Sequence, residues 1–126
     1  MTQNPTTKKQ IDIQAMRRAG ALIDLKGKTY VTYKGLLWVA HQHGLASIEV
    51  EMVAWDPDRH EAIMKATIIG SRGTFTEYGD ATKQNCGRMM HTCLPRMAAT
   101  RAKSRALRDY LGIGICSLEE LPGDSE

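Results

Sequence analysis

Three arginines near the C-terminal end of the chain have the spacing of a phosphate-binding row. Arg101, Arg105 and Arg108 follow one another at intervals of four and three residues. On a helix with about 100° per residue they fall within about 60° of one another. A guanidinium can donate two parallel hydrogen bonds to one phosphate, so a row of three on a helix suits a nucleic-acid backbone. An ordinary solvated helix surface is the alternative interpretation.

The positive charge of the chain is concentrated where this row lies. The formal net charge is +3, from 17 Lys and Arg against 14 Asp and Glu. Residues 1–80 contribute +1 (10 minus 9), residues 81–111 contribute +6 (7 minus 1), and residues 112–126 contribute −4 (0 minus 4). A basic excess within one helical region is the pattern that a polyanionic partner requires.

Two partial motifs would favour an enzyme if they were complete. Gly27-Lys28-Thr29 matches the end of an ATP-binding loop, but Leu22 stands where that motif needs its first glycine. Acidic residues between positions 49 and 61 suggest a nuclease metal site, yet Glu49 and Glu51 alternate with apolar residues, as on the solvent side of a strand. We therefore predict no enzymatic activity, no catalytic residue and no cofactor.

The cysteines do not have the spacing of a metal site. Cys86, His91 and Cys93 lack paired Cys-x-x-Cys spacing and a clear fourth ligand. Buried thiols and a surface imidazole are the favoured interpretation, and no metal is predicted. With Cys116 the chain has three cysteines, an odd number that favours reduced thiols over a disulfide framework.

The N-terminal third is predicted to contain two helices and a short strand. Residues 11–25 have a weakly helical pattern, residues 30–33 form a short extended run, and residues 35–44 have an apolar helical face. Trp38 is assigned to the core, and Gly44 is placed at the C-terminal cap of its helix.

Three strands are predicted next. Residues 47–55 alternate apolar with polar side chains, residues 61–70 resume the pattern, and residues 74–78 are rich in threonine and aromatic residues. Turn-forming residues separate the three runs, so we expect an antiparallel meander.

The element that carries the arginines is a helical region over residues 81–111. A break is expected near Pro95, which suits the first turn of a helix, and Gly112 is expected to end it. Alanines beside the arginine row would let this helix lie close to a sheet; they are Ala98, Ala99, Ala102 and Ala106. The predicted fold class is α+β, a three-stranded antiparallel β-meander packed by a long C-terminal helix and preceded by a short strand and helix.

Length and hydropathy predict one domain inside the cell. A chain of 126 residues, 42% hydrophobic and 25% charged, has the composition of a single globular domain. We expect a flexible tail over residues 1–10, the domain over residues 11–116, and a loose acidic tail over residues 117–126. No apolar run approaches the ~18 residues of a membrane span, and the polar N-terminus is unlike a secretory signal. A cytoplasmic protein without a membrane partner is expected.

The order of these elements resembles a known family. Tyr78-Gly79 lies 26 residues before Arg105 in the run Ser104-Arg105-Ala106-Leu107-Arg108, and Gly112 follows that run. Over residues 28–112 the chain resembles the single-strand annealing proteins of the Rad-fifty-two superfamily, and within it the DdrA-like and phage annealing proteins. The resemblance implies a β-β-β-α core and a homo-oligomeric ring or arc, larger than a dimer. Each subunit would hold single-stranded DNA by its backbone and leave the bases exposed.

The resemblance also implies which residues contact DNA. Arg105 and Arg108 match DNA-contacting arginines on the final helix of the family. Ser104 stands where the family often has a lysine, so Lys103 or Arg101 is expected to replace that contact.

A further contact is implied on the preceding helix. The family has a basic residue near the start of this helix, at the position that Gly35 occupies here, which leaves Lys34 as the nearest substitute. The predicted DNA-binding residues are therefore Lys34, Arg101, Lys103, Arg105 and Arg108.

The function predicted from the sequence is single-stranded-DNA binding and ATP-independent annealing of complementary strands, in recombination or in repair of DNA damage. Two alternatives remain. A double-stranded-RNA-binding module shares the order helix, three strands, helix, although its basic cluster lies at the beginning of the last helix. A non-catalytic structural oligomer would instead pair the arginines with the acidic tail of a neighbouring subunit.

Overall fold

A computed structural model of the protein describes residues 10–86 and 93–121. Its α-helices are α1 (Ile13–Arg18), α2 (Tyr33–Gln42) and α3 (Leu94–Leu111). Its strands are β1 (Leu22–Leu25), β2 (Lys28–Val31), β3 (Leu45–Asp56), β4 (Glu61–Gly70) and β5 (Gly73–Thr82), and a 3-10 turn follows at Leu118–Glu120. The predicted α+β class is confirmed, with a three-stranded antiparallel sheet packed by α3.

The sheet is a meander in the order β3-β4-β5, as predicted. In the β3–β4 turn, the carboxylate of Asp56 accepts hydrogen bonds from the backbone N–H groups of Asp58 (3.1 Å) and Arg59 (3.2 Å). A short acidic side chain can satisfy the backbone of such a turn locally, which explains why the chain reverses here. The β4–β5 turn uses Gly73 at φ 124°, a conformation open chiefly to glycine.

Helix α3 lies across β4 and β5 on a face of small side chains. Ala98, Ala102 and Ala106 are fully buried, as the alanine pattern predicted. Gly79 on β5 permits the closest approach, because a Cβ atom there would collide with the backbone nitrogen of Ala102 and the carbonyl oxygen of Ala98. Helix backbone and strand backbone are therefore in direct contact, and this contact fixes the position of the side chains along α3.

Both ends of α3 are defined by local sequence. Pro95 lies in its first turn, where the missing N–H costs nothing. Gly112 ends the helix at φ 70°, as predicted. Near that end, the hydroxyl of Tyr110 donates to the carbonyl of His43, 2.8 Å away, which ties α3 to the end of α2.

The predicted helical pattern over residues 11–25 is only partly correct. Helix α1 ends at Arg18, and Leu22–Leu25 form β1, which pairs antiparallel with β2. Lys26 and Gly27 connect the two strands with positive φ values of 52° and 79°, as a two-residue hairpin requires. A strand of four residues is too short for its period to stand out against a helical one.

The expected helical region over residues 81–111 begins later than predicted. Strand β5 runs through Gly79 and continues to Thr82, and α3 starts at Leu94. Gly79 therefore lies within β5, at the point where helix α3 crosses this strand. Residues 87–92 of the predicted region lie outside the described residues.

The assignment of Trp38 to the core is wrong. The opposite face of α2 is the buried one, with Leu36, Val39 and Ala40 against the rest of the domain. Trp38 is 45% exposed.

The acidic C-terminal residues are packed over their first part, which corrects the expected loose tail for Ser117–Leu121. Ser117 is fully buried and forms a parallel bridge with Val31 of β2. The N–H of Val31 donates to the carbonyl of Cys116 at 3.1 Å. We call Ser117–Leu121 the C-terminal segment. Residues 1–9 and 122–126 lie outside the described residues.

Gly79→Ala should destabilise the protein, because the added methyl group must push two backbones apart. We expect a loss of about 1–3 kcal/mol or more in the free energy of unfolding, measured by urea denaturation. Gly114→Ala is the matched control, since a Cβ at Gly114 meets nothing within 4 Å. Equal stability of the two variants would contradict the close contact between α3 and β5.

Candidate nucleic-acid interface

The first arginine of the predicted row is a structural residue. Arg101 is 1% exposed. Its guanidinium donates to the carbonyls of Asp80 (3.0 Å), Asn85 (2.8 Å), Glu119 (3.3 Å) and Leu121 (2.9 Å), and to the side-chain oxygen of Asn85 (2.8 Å). Hydrogen bonds to a charged group contribute about 1.5–3 kcal/mol each. One side chain thus joins α3, the end of β5, the loop after it and the C-terminal segment.

This burial corrects the expectation of three exposed arginines in a row. The helical spacing predicts correctly that Arg101 shares a side of α3 with Arg105 and Arg108. The N-terminal part of that side is covered by the loop after β5 and by the C-terminal segment. The guanidinium of Arg101 therefore has no surface open to a phosphate.

The other two arginines reach the surface and converge on one anionic group. The side chains of Arg105 and Arg108 are 34% and 24% exposed. Arg108 Nη1 donates to both carboxylate oxygens of Glu120, at 2.9 and 3.1 Å. Arg105 Nε lies 3.6 Å from the nearer of these oxygens. We call Arg105 and Arg108 the arginine pair.

Arg105 is also anchored to β5. Its Nη1 donates to the carbonyl of Tyr78 at 2.9 Å and lies 3.5 Å from the carboxylate of Asp80. These partners restrict the rotamers of the long side chain, so its guanidinium is held in place before any ligand arrives.

The C-terminal segment places Glu120 against the arginine pair. The N–H of Ser117 donates to the Glu120 carboxylate at 3.0 Å, which fixes the turn. Glu119 accepts from the N–H of Tyr33 at 2.8 Å, at the start of α2. The acidic segment therefore folds back onto its own subunit, and the Glu120 side chain is only 7% exposed.

Acidic groups surround the pair on the β5 side as well. Burial raises the pKa of the Asp109 carboxyl, and a hydrogen bond and charge repulsion from Glu77 raise it further, while Arg108 opposes the shift. The raised pKa means that Asp109 takes up a proton at a higher pH than an ordinary carboxyl group. Protonation of Asp109 on acidification makes this surface more positive.

Neither of the two predicted lysines shares the helix side of the arginine pair. Lys103 is two residues before Arg105, so it points about 160° away around the helix axis. Its Nζ lies 5.1 Å from the ring centroid of Tyr33, a cation–π contact at the start of α2. Lys34, the next residue of α2, is exposed. The structure thus brings Arg105 and Arg108 together on one carboxylate, while Lys103 contacts Tyr33 and Lys34 lies on the surface of α2.

Trp38 is a surface residue that the sequence pattern did not single out. It lies one helical turn after Lys34, and both line a cleft between α2 and the α1–β1 connection. The exposure of Trp38 can be predicted from the sequence, because positions 34 and 38 fall opposite the buried positions 36, 39 and 40 on a helical projection. The general preference of tryptophan for the core led to the wrong assignment.

Other candidate sites from the sequence remain separate in the structure. Gly27-Lys28-Thr29 is the hairpin turn and the start of β2. Cys86 is buried, Cys93 and Cys116 are half-buried, and none of the three forms a disulfide, while His91 lies outside the described residues.

Neither a metal cluster nor a membrane-spanning helix occurs in the part of the chain that the structure describes. Within residues 10–86 and 93–121, no three His, Cys, Asp or Glu side chains are grouped to hold a metal ion. Within the same ranges, no helix has the length and apolarity to cross a membrane.

Comparison with known proteins found no matching family model, no similar curated protein and no similar solved structure.

Proposed function

We propose that this protein binds single-stranded DNA through the arginine pair and anneals complementary strands without ATP, as a homo-oligomer in recombination or DNA repair. The observation that carries the proposal is the convergence of Arg105 and Arg108 on one carboxylate. In this proposal a backbone phosphate takes the place of the Glu120 carboxylate, since both present anionic oxygens to guanidinium donors.

The position of the pair on α3 favours a rigid phosphate contact. The helix backbone rests on β5 at Gly79, and Arg105 is hydrogen-bonded to Tyr78 of the same strand. Side chains held in this way lose little conformational entropy when an anion binds, so more of the contact energy remains as affinity.

Glu120 competes with DNA in this proposal. Two buried polar atoms on α3, Arg108 Nε and Ser104 Oγ, have no hydrogen-bond partner among the described residues, and they lie one helical turn apart in sequence. A phosphate diester that displaced the carboxylate would bring acceptor oxygens to this side of the helix. The C-terminal segment thus occupies the arginine pair in the free protein, and single-stranded DNA displaces it on binding.

Contacts to phosphate explain how binding would serve annealing. Phosphates carry no sequence information, so binding through the arginine pair is tolerant of sequence. Bases that remain outside the contact can test a complementary strand. Annealing only forms base pairs and breaks no covalent bond, so it needs neither a nucleotide cofactor nor a metal ion.

The two alternatives are a double-stranded-RNA-binding module and a structural oligomer, and each makes a different demand on the arginine pair. A double-stranded-RNA module has its basic cluster at the start of the last helix, whereas the arginine pair lies in the C-terminal half of α3. A structural oligomer would pair these arginines with a neighbour's acidic tail, and that tail, like DNA, would have to displace Glu120 of the same chain.

Removal of the arginine pair should weaken DNA binding. For the Arg105→Ala, Arg108→Ala double variant we expect affinity for an oligo-dT strand to fall at least about tenfold, since each arginine supplies a charge-assisted phosphate contact. The dependence of log affinity on log salt should become shallower by about 0.7 for each phosphate that the variant no longer neutralises. Fluorescence anisotropy at several salt concentrations measures both quantities.

Two matched variants sharpen this measurement. Arg59→Ala removes an exposed arginine from the β3–β4 turn and should leave binding unchanged. Glu120→Gln should tighten binding, because it removes the competing charge and keeps the shape of the side chain. Wild-type affinity in the double variant would refute the assignment of the arginine pair.

We also propose that a second copy covers the outer strand of the sheet. Strand β3 lies at the edge of the sheet, and α3 covers mainly β4 and β5. Val50 and Met52 pair with the buried Ala66 and Met64, so they face the helix side of the sheet, yet Met52 is 54% exposed. An edge strand with an uncovered apolar face favours association with another chain.

The Val50→Lys, Met52→Lys double variant should dissociate the oligomer, because two charges would enter the apolar contact. Native mass spectrometry should show an assembly larger than a dimer for the wild type and smaller species for the variant. Glu51→Lys is the control, since residue 51 points to the other face of the same strand. A wild-type protein that is monomeric at micromolar concentration would contradict this part of the proposal.

A further inference from the structure

The cleft beside Trp38 has the size and lining of a small-ligand site. It has a volume of about 340 Å³, within the range of ligand pockets. Ala19, Gly20 and Ala21 form the wall from the α1–β1 connection, and Lys34 and Trp38 stand on the α2 side.

Small residues keep this cleft open and hold its walls in place. Gly35 brings α2 against the start of β1, because a Cβ atom there would lie 2.6 Å from the Cβ of Ala21. The N–H of Ala21 donates to the carbonyl of Met16 at 2.9 Å, and its carbonyl accepts from Thr32 at 3.0 Å. The wall opposite Trp38 is therefore backbone and methyl groups fixed by hydrogen bonds.

Trp38 is not needed for the core of the domain. Helix α2 buries Leu36, Val39 and Ala40 on its other side. A large aromatic side chain that stays 45% exposed at a fixed cleft offers a surface for stacking. Every nucleobase has a flat face that can use such a surface, irrespective of sequence.

The charges of the cleft favour an anionic aromatic ligand. Lys34 makes no ion pair with any of the described residues, and none of the described residues that line the cleft is acidic. A nucleotide combines the two features that this lining complements, a π face for Trp38 and a phosphate for Lys34.

We infer that the Trp38 cleft binds one nucleobase of the single strand, with Lys34 on an adjoining phosphate. This inference rests on the proposed function, since it assigns a second contact to the same strand. It also changes that function in one respect: each subunit would withdraw one base from pairing while the remaining bases stay available. The cleft and the arginine pair are linked through the C-terminal segment, because Glu119 binds the start of α2 and Glu120 binds the pair.

Tryptophan fluorescence with two kinds of oligonucleotide tests the inference. The chain has two tryptophans, so Trp55→Phe leaves Trp38 as the reporter, and Trp38→Phe leaves Trp55 as the control. We expect oligo-dT to quench Trp38 strongly and Trp55 little. Oligo-dT should bind at least about fivefold more tightly than an abasic strand of equal length, because only the former can stack.

The substitution Trp38→Ala should lower the affinity for oligo-dT to that for the abasic strand and leave the abasic affinity unchanged. Trp38→Phe, which retains an aromatic ring, should recover part of the affinity for oligo-dT. If neither strand binds, the proposed function fails and the inference falls with it.

Two results would overturn the inference while the proposed function stands. In the first, both strands bind equally, Trp38→Ala alters neither affinity, and removal of the arginine pair abolishes both. In the second, Trp38 is unquenched by DNA and Trp38→Ala dissociates the oligomer, which would assign the cleft to a contact between subunits.

Discussion

The contact between α3 and β5 at Gly79 is the constraint on which the rest of this structure depends. A glycine in the strand and alanines in the helix allow two backbones to touch without intervening side chains. The helix therefore cannot slide or rotate without collision, as expected for an interior packed at crystal-like density. The backbone position of an arginine on such a helix is fixed, and the proposed phosphate contact requires this because a guanidinium donates to phosphate oxygens at defined angles.

Arg101 extends this constraint to the segments around α3, because its guanidinium is buried among them. Its guanidinium N–H groups donate to backbone carbonyls of β5, of the following loop and of the C-terminal segment. The segment held in this way carries Glu120 to Arg105 and Arg108. The three arginines on this side of the helix thus differ in their environment. Arg101 is buried and joins the segments around α3, whereas Arg105 and Arg108 are partly exposed and contact the Glu120 carboxylate.

Local patterns in the sequence predict the meander, Pro95 in the first turn of α3 and Gly112 at its end, because each depends on neighbouring residues alone. The burial of Arg101 could not be predicted in this way, since its partners come from segments about 15–20 residues away in the chain, and no periodicity indicates that they return. The exposure of Trp38 was predictable from the helical projection of α2. The packing of the C-terminal segment could not be predicted from its acidic composition. Such a composition is typical of a loose tail, and the sequence does not indicate that Glu120 contacts arginines of α3.

The central claim is that a surface arginine pair lets this protein anneal DNA strands without ATP. Its most direct test is the annealing rate of two complementary fluorescent oligonucleotides, measured in chelator without nucleotide, for the wild type and for the Arg105→Ala, Arg108→Ala double variant. We predict that the wild type anneals the strands faster than buffer alone and that the double variant retains little of this acceleration. A wild-type protein that anneals no faster than buffer, and that binds duplex RNA more tightly than single-stranded DNA, would contradict the claim.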